Sequence, residues 1–399
     1  MRNIMNLNKL KIGTTIVFTI LKLFFFNFIS RKLRFIFTKE KKIKSDKTAI
    51  VIFSRFHMND EKFRLCGSGR MQLELIKALE SIGYKVHFFG QEDKVIEKNK
   101  FVGVHLVITL ATGAWRIPHT YLGMVWVLTA NSNVSERIKR NQWIKKRYSL
   151  NLLEKPVLLK HLYAYQRADV LYIAENYNGI YHHLFNGIPE HKIVRYNNCT
   201  DTEIFSRTLT YKPNPVGSRR FVAWMTASIR KGLPLLLDTW LNWKNRENAT
   251  LTIIGLNTNE TNQIIKIFSE KLTERDDIII KFGVNDYQNL ALVLEGYDVS
   301  VFPTFEDAQP SQLLEMAAIG YPIITTYESG VEFENDFCLY ISPWLSRSLE
   351  KALEQWNFSS EDILLNASNS SRKYIISNHN WDHFGKKFVD DLNKHQLVN

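Results

Sequence analysis

The sequence predicts an α/β protein built around two parallel sheets, on the strength of three observations. Short apolar segments rich in β-branched residues, such as 48–53 and 299–303, have the pattern of strands buried on both faces of a sheet. Segments with apolar residues at helical spacing alternate with them, as in strand–helix–strand units. The alternation occurs in two blocks separated by a segment rich in proline and glycine, residues 208–219, so we predict two domains.

The positive charge of the chain is concentrated before the first block. The whole sequence carries a formal net charge of +12. Residues 1–47 contain 12 Lys or Arg and two acidic residues, so the rest of the chain has a net charge of only +2. A nucleic-acid-binding surface is therefore not expected, and nucleic acid is not a predicted partner.

The N-terminal segment, residues 1–46, also contains an apolar run of 18 residues, 12–29, followed by a row of cations. A membrane span needs about 20 residues, and the polar residues of this run lie on one helical stripe, so a helix in the membrane interface is at least as good an interpretation as a span. We predict a membrane-associated segment that binds anionic lipid and keeps the protein on the cytoplasmic face of a membrane. The alternative is a core helix of the first domain.

The first predicted domain covers residues 47–209. A strand at 48–53 is followed by a polar loop with His57, and then by a loop containing Gly67 and Gly69 before a helix. Glycines there let a substrate approach the backbone closely, although a tight turn explains them equally well. His57 is a candidate acceptor contact, although a loop histidine is more often solvated.

A basic, aromatic stretch occupies residues 135–167 of this domain. Its composition favours an exposed pair of helices. The functional alternative is a docking face for an anionic lipid or a phosphorylated acceptor.

The second predicted domain, residues 210–378, begins with a strand at 220–226 and a turn containing Arg230, Lys231 and Gly232. Two cations and an open backbone at a strand-to-helix turn suit a diphosphate. A surface turn that happens to be basic is the alternative.

The segment 299–330 reads as a strand, a polar turn, a helix and a second strand. Glu306 and Asp307 lie in the turn at the carboxyl end of the first strand, where open α/β sheets bind ligands. The helix begins with unpaired backbone N–H groups that offer a phosphate site, at Gln309, Ser311 and Gln312. Glu315, one turn further along, is placed to hold ribose hydroxyls. An acidic turn that only complements the helix dipole, worth about 0.3–1 kcal/mol per charge, is the alternative.

Together these motifs resemble the retaining GT-B glycosyltransferases of family 4, also called the group 1 type, which include many bacterial polysaccharide and lipid glycosyltransferases. The resemblance rests on the carboxylates eight residues apart at Asp307 and Glu315, on Gly320-Tyr321-Pro322, and on Lys231-Gly232. It covers about residues 48–392. It implies two Rossmann-like, doubly wound domains facing across a cleft, with a C-terminal helix in residues 379–399 that crosses back to the first domain.

The same resemblance implies a set of site residues. Asp307 or Glu306 would face the sugar, and the first glutamate of the family is an aspartate here. Asn131 stands where the family has a histidine that points at the sugar, and Thr226 stands where it has a phosphate-binding arginine. The implied donor-binding residues are Arg230, Lys231, Gly255, Gln309, Ser311 and Glu315, and the implied acceptor-binding residues are Gly67, Gly69 and His57.

The predicted function is therefore transfer of a sugar from a nucleotide-sugar to a membrane-linked or polysaccharide acceptor, in cell-surface glycan or glycolipid synthesis. The nucleotide-sugar is a substrate, and neither a cofactor nor a catalytic metal is expected. The alternatives are a nucleotide-sugar epimerase of the same fold and a membrane-tethered sugar-binding protein with weakened catalysis. The three cysteines, Cys66, Cys199 and Cys338, have no metal or redox spacing and are typical of a reducing compartment.

Overall fold

The computed structural model describes most of both predicted domains. The described residues are 47–52, 67–90, 96–111, 113–118, 120–121, 123–129, 134–148, 164–174, 180, 184, 188–207, 209–226, 228–255, 258–282 and 289–397. Within these ranges no helix has the length and apolar character of a membrane span. The predicted membrane segment, residues 1–46, lies outside them, as do His57 and Asn131.

The first half of the molecule contains a parallel sheet of six strands in the order β2-β1-β3-β4-β5-β6. The strands are β1 (Thr48–Ile52), β2 (Lys85–Phe89), β3 (Leu106–Leu110), β4 (Met124–Thr129), β5 (Val170–Ile173) and β6 (Ile193–Arg195). Alternate residues of β1 enter different cores, because Ala49 and Val51 belong to one apolar cluster and Ile50 and Ile52 to another. Burial on both faces is what the unbroken apolar runs predicted.

Two helices of this half differ from the sequence-based expectation. Helix α1 (Gly67–Ser81) begins at Gly67, so Gly67 and Gly69 lie in its first turn and not in a loop before it. Helix α2 (Val134–Tyr148) was expected to be exposed, but Ile144 is fully buried in the core cluster of the second half. The prediction was wrong because the residues that pack lie one helical turn apart, at 140, 143, 144 and 147, and their partners are distant in the sequence.

The second half contains another parallel sheet of six strands, in the order β12-β11-β10-β7-β8-β9. The strands are β7 (Arg220–Trp224), β8 (Thr250–Gly255), β9 (Ile278–Phe282), β10 (Val299–Phe302), β11 (Ile323–Thr326) and β12 (Cys338–Ile341). The helices are α3 (Leu233–Asn242), α4 (Asn259–Leu272), α5 (Leu290–Val293), α6 (Ser311–Ile319), α7 (Ser346–Phe358) and α8 (Glu361–Asn378). Strand order reverses between β7 and β10, and ligands of open α/β sheets bind beside such a switch point, outside the carboxyl ends of the strands.

The last helix, α9 (Trp381–Leu397), packs on the first half. Phe388 and Leu392 are fully buried in the cluster that also contains residues of α1. The Phe388 and Trp126 rings meet edge to face with centroids 5.5 Å apart. The last described helix therefore packs on the first half of the molecule.

The chain passes between the halves at two adjacent points. The backbone N–H of Thr200 donates to the carbonyl of His379 over 3.0 Å, and His379 Nδ1 lies 2.7 Å from the carbonyl of Asn198. His379 is buried, and burial lowers the pKa of its ring to about 4 despite that hydrogen bond. Since the neutral ring donates from Nδ1, the carbonyl of Asn198 is the acceptor.

Two thiols lie in different cores. Cys199 is buried in the cluster of the first half, and Cys338 in that of the second. Burial raises the pKa of both thiols above the usual value for cysteine. Neither thiol forms a disulfide.

Candidate functional site at the switch point of the second sheet

The turns that follow β7 and β10 are joined directly. Gly232 has a φ of +83°, and a Cβ there would lie 1.9 Å from the carbonyl oxygen of Pro303, so only glycine allows the turns to approach. The backbone N–H of Phe305 and the hydroxyl of Thr304 both donate to the carbonyl of Arg230, over 2.9 and 3.0 Å. These contacts hold the cationic turn and the acidic turn at one edge of the sheet.

A third turn, after β11, supports the acidic turn from the other side. The backbone N–H of Asp307 donates to the carbonyl of Glu328 over 2.7 Å, and that of Gln309 to the carbonyl of Ser329 over 2.8 Å. The amide of Gln309 was predicted to be unpaired and open to phosphate, and that prediction was wrong. Gln309 takes a left-handed backbone conformation, with φ of +51°, which turns its peptide toward the neighbouring loop.

The side chain of Gln309 also differs from its predicted role in donor binding. It is 1% exposed, its Oε1 accepts the backbone N–H of Asn198 over 2.6 Å, and its carbonyl accepts Nδ2 of Asn198 over 2.7 Å. Because Asn198 belongs to the first half, Gln309 links the halves beneath the site.

Asp307 is the carboxylate that both predicted phosphate-binding cations contact. Its Oδ1 lies 3.0 Å from Nη1 of Arg230, and its Oδ2 pairs with Nζ of Lys231. Burial alone would raise the pKa of Asp307, but the two cations outweigh burial and hold that pKa below its ordinary value. Asp307 is therefore ionised at neutral pH.

Lys231 is 4% exposed, with Nζ 4.9 Å from the centroid of the Phe302 ring. Burial lowers its pKa to about 8, against the attraction of Asp307. Arg230 is about one third exposed, and its Nη1 also donates to the carbonyl of Glu306 over 3.1 Å. The carboxylates Glu306 and Asp307 keep the pKa of Arg230 above its ordinary value, although burial acts in the opposite direction.

Glu315 is buried on α6, and Nε1 of Trp224 donates to its Oε2 over 2.6 Å. Burial raises the pKa of Glu315 to about 7, while the hydrogen bond from Trp224 and the charge of Lys231 limit the rise. Lys231 and Glu315 thus belong to one electrostatic site. Sequence reasoning did not single out Trp224, although its position at the carboxyl end of β7 was a usable signal.

Glu306 contacts the first half. Its Oε2 lies 3.1 Å from Nη1 of Arg140 on α2, and the two side chains are only 4% and 10% exposed. Trp143, one turn further along α2, packs on Phe305 with ring centroids 5.4 Å apart. Sequence analysis missed Arg140 because its partner lies 166 residues away.

The remaining predicted donor-binding residues lie along the same edge. Ser311 is the first residue of α6, and Gly255 is the last residue of β8, the neighbour of β7. Thr226, which stands where the resemblance places an arginine, accepts a hydrogen bond from Nε2 of Gln312 over 2.9 Å. Thr226 and Gln312 thus join the edge of β7 to the first turn of α6.

The candidate acceptor residues are only partly described. Gly67 and Gly69 begin α1, the helix that follows β1, at the carboxyl edge of the first sheet. His57 and Asn131 lie outside the described residues. Among the residues that are described, no group of three or more His, Cys, Asp or Glu is placed to hold a metal ion.

The charges at the switch point have a clear consequence for ligand binding. Three cations, Arg140, Arg230 and Lys231, face Glu306, Asp307 and Glu315. The three cations balance the three carboxylates when Glu315 is ionised, and protonation of Glu315, whose pKa is about 7, adds one excess positive charge. A dianionic diphosphate fits such a cluster, because Lys and Arg have further donors beyond those used on Asp307.

Comparisons with known proteins agree with this fold and with the resemblance to glycosyltransferases. Residues 220–354 match a family model described as "Glycosyl transferases group 1". No curated protein matches the sequence.

Three solved structures with the same fold are a sucrose-phosphate synthase from Thermosynechococcus elongatus, a glycosyltransferase from Rickettsia africae and the Anabaena protein HepE in complex with UDP and glucose. Their TM-scores are 0.66, 0.62 and 0.61, at 13%, 16% and 9% sequence identity, and they cover 88%, 89% and 88% of this chain and 100% of each of the other chains. The chain therefore has the GT-B fold, and the resemblance to GT-B glycosyltransferases of the group 1 type is confirmed.

Proposed function

We propose that the protein is a retaining glycosyltransferase that moves a sugar from a nucleotide-sugar to an acceptor bound at the first half. The observation that carries the proposal is the contact of Asp307 with both Arg230 and Lys231, because it places an ionised carboxylate beside the cations that suit a diphosphate. In a nucleotide-sugar the anomeric carbon is bonded to that diphosphate. The Anabaena protein of the same fold was solved in complex with UDP and glucose, which supports a donor of this class.

The chemistry requires stabilisation of two developing charges. As the bond between sugar and phosphate breaks, negative charge grows on the departing diphosphate, and Arg230 and Lys231 stabilise it from fixed positions. The sugar becomes cation-like, and the Asp307 carboxylate stabilises it. Glu306 pairs with Arg140 on α2, whereas Asp307 lies beside the two cations proposed to hold the diphosphate, so we assign the sugar-facing role to Asp307.

Glu315 is the residue proposed to hold the nucleoside. Its Oε1 accepts a hydrogen bond from a ribose hydroxyl while Oε2 accepts the one from Trp224, and this requires the ionised carboxylate. We further propose that the acceptor is linked to a membrane or a growing glycan, as residues 1–46 suggest, and that transfer needs no metal.

The function is tested by incubating the purified full-length protein with UDP-, GDP- and ADP-sugars and measuring free sugar released by slow hydrolysis. Thermal unfolding with each donor identifies the base, because a ligand that binds only the folded protein raises its melting temperature. We expect one donor class to stabilise the protein and to be hydrolysed, and both effects to be lost in Lys231→Met and retained in Lys271→Met, an exposed control on α4.

The outcomes separate the alternatives. Tight donor binding without turnover, with any acceptor tried, would favour a sugar-binding protein. Conversion of the donor into another nucleotide-sugar would favour an epimerase.

A further inference from the structure

A cavity lies where α6 ends, away from the acidic turn. It has a volume of about 450 Å³ and is lined by residues from the segment after β6, from the end of α6 and from α8. Small-molecule sites commonly have about 300–1,000 Å³. The cavity is therefore large enough for a small solute.

Its lining is strongly one-sided in charge. Arg207, Arg372 and Lys373 line it, and none of its ten lining residues is acidic. Within the described part of the chain, neither arginine forms an ion pair. A cavity wall with three cations and no carboxylate favours an anion.

Arg207 is held rigidly in this wall. Its Cζ lies 3.9 Å from the centroid of the Tyr211 ring and 4.6 Å from that of Tyr321, and its Nη2 donates to the carbonyl of Gly320 over 2.8 Å. Its Nη1 is buried and has no hydrogen-bond partner among the residues that the structure describes. The stacking on two rings and the bond to Gly320 thus fix the orientation of the guanidinium in the cavity wall.

Arg372 is fixed in a similar way. Its Nη1 donates to the carbonyls of Phe205 and Ala318. Burial lowers the pKa of both guanidinium groups, which means that burial disfavours their charged forms. The carbonyl end of α6, to which both guanidinium groups donate, and for Arg207 the carboxylates of Glu295 and Asp298, which lie outside the cavity lining, act against this effect of burial.

We propose that this cavity binds a small phosphate-bearing solute. Guanidinium groups match phosphate oxygens in geometry as well as charge. The hydroxyls of Ser368 and Ser377 and the amide of Asn369 also line the cavity and suit a body rich in hydroxyl groups, such as a sugar phosphate. The site is separate from the donor site, and Ile319 and Gly320 in its wall connect it to the helix that carries Glu315.

The test is calorimetric titration of the full-length protein with inorganic phosphate and with glucose 6-phosphate at constant ionic strength, with sodium chloride and glucose as controls. We expect both phosphates to bind, and the controls not to bind. Lys373→Glu reverses an exposed charge at the cavity, and should weaken binding about tenfold or more, since a hydrogen bond to a charged group contributes about 1.5–3 kcal/mol. Lys351→Glu, at an exposed position on α7, should bind as the unchanged protein does.

Asn369→Asp supplies the missing carboxylate within the cavity. Because residues three and four apart are neighbours on a helix, this aspartate pairs with Arg372 and Lys373. We expect a higher melting temperature without phosphate, and loss of phosphate binding. Both substitutions can be made without removing a buried residue.

Lys231→Met separates the two sites, because it removes a cation of the donor site only. Phosphate binding that is lost in Lys231→Met and unchanged in Lys373→Glu overturns the proposal and assigns phosphate to the donor site. Failure to bind either phosphate overturns it too. Binding only to vesicles of phosphatidic acid, compared with phosphatidylcholine, would replace the solute with a lipid surface.

Discussion

Lys231 and Asp307 depend on each other in the buried turn after β7. Replacing Lys231 by methionine removes a cation that we place on the diphosphate, and we expect kcat/KM for the donor to fall by about 10²–10³, as for the loss of one preorganised donor to a developing charge. The measurement is steady-state hydrolysis or transfer with the donor identified by thermal shift. Lys271→Met should leave the rate unchanged, and an unchanged rate in Lys231→Met would exclude the proposed role.

Glu315 predicts a pH dependence of stability. Its pKa in the folded protein is about 7, above the ordinary value of 4.5, so the folded state binds more protons between these values and stability falls as pH rises across them. By linkage the fall amounts to about 3 kcal/mol. In urea unfolding, Glu315→Gln should have the same free energy of unfolding at pH 5 and pH 8 as far as this residue contributes. The same variant should have a higher KM for the donor at pH 8.

Residues of the site differ in how far the sequence identifies them. Glu306, Asp307, Arg230 and Lys231 were predicted correctly as neighbours at one sheet edge, because the carboxyl ends of parallel strands meet there. Trp224 and Arg140 were not predicted. The hydrogen bond from the Trp224 indole and the contact of Arg140 with a residue 166 positions away leave no local pattern in the sequence. Gln309 was assigned to phosphate because a left-handed residue before a helix is not visible in composition.

Among the elements, α2 is joined to the acidic turn by the Arg140–Glu306 pair. Breaking a buried ion pair by removing one partner typically costs about 3–5 kcal/mol, because the other charge stays buried. We expect Arg140→Met and Glu306→Gln each to be strongly destabilising, and the double variant to be much less so than their sum. Thermal and urea unfolding measure this cycle.

The matched control for that cycle is Arg147→Met. Arg147 lies on the same helix and pairs with Asp238, but its side chain is 42% exposed. Exposed pairs contribute about 0.2–1 kcal/mol, so a small effect is expected. Additive losses in the Arg140 and Glu306 variants would contradict the coupling.

Gly232 is the residue that lets the turn after β7 contact the turn after β10. Gly232→Ala places a methyl group against the Pro303 carbonyl and strains a left-handed backbone, and strain of that kind alone costs about 1–3 kcal/mol. We expect a lower melting temperature and a higher KM for the donor. Gly103→Ala is the control, since φ there is also positive but nothing lies within 4 Å of the added methyl group.

The strands were predicted better than the helix surfaces. Buried parallel strands are read from apolar runs alone, and β7 and β10 lie within a few residues of the ranges predicted for them, 220–226 and 299–303, whereas the edge strand β12 was not predicted. The face that a helix buries depends on its neighbours. A basic helix such as α2 therefore appeared exposed, although Arg140, Trp143 and Ile144 pack on the other half.

At the scale of the whole molecule, the two sheets follow from alternation of strand and helix patterns, but their contact does not. The contacts between the halves include the Arg195–Glu332 pair, at 2.8 Å, and two hydrogen bonds that Asn198 donates to Gln309. None of these is encoded in a local pattern. The return of α9 to the first sheet was expected only from the resemblance to a known fold.

His379, at the passage between the halves, predicts sensitivity to acid. Its pKa is about 4 in the folded protein and 6.5 ordinarily, so the unfolded state binds more protons between these values and stability is lost as pH falls across them. The loss is about 3 kcal/mol. His379→Asn should flatten the change between pH 6.5 and pH 4.5 in urea unfolding, whereas His383→Asn, which alters an exposed ring, should not.

Because Cys199 and Cys338 lie in separate cores, the reactivity of each thiol reports local unfolding of the core that contains it. A thiol that is both buried and difficult to ionise reacts with an alkylating reagent only after its surroundings open. Mass spectrometry of the peptides that contain residues 199 and 338 would then time the exposure of each half independently. Equal labelling rates would mean that the two cores unfold together, and unequal rates would show which core unfolds more readily.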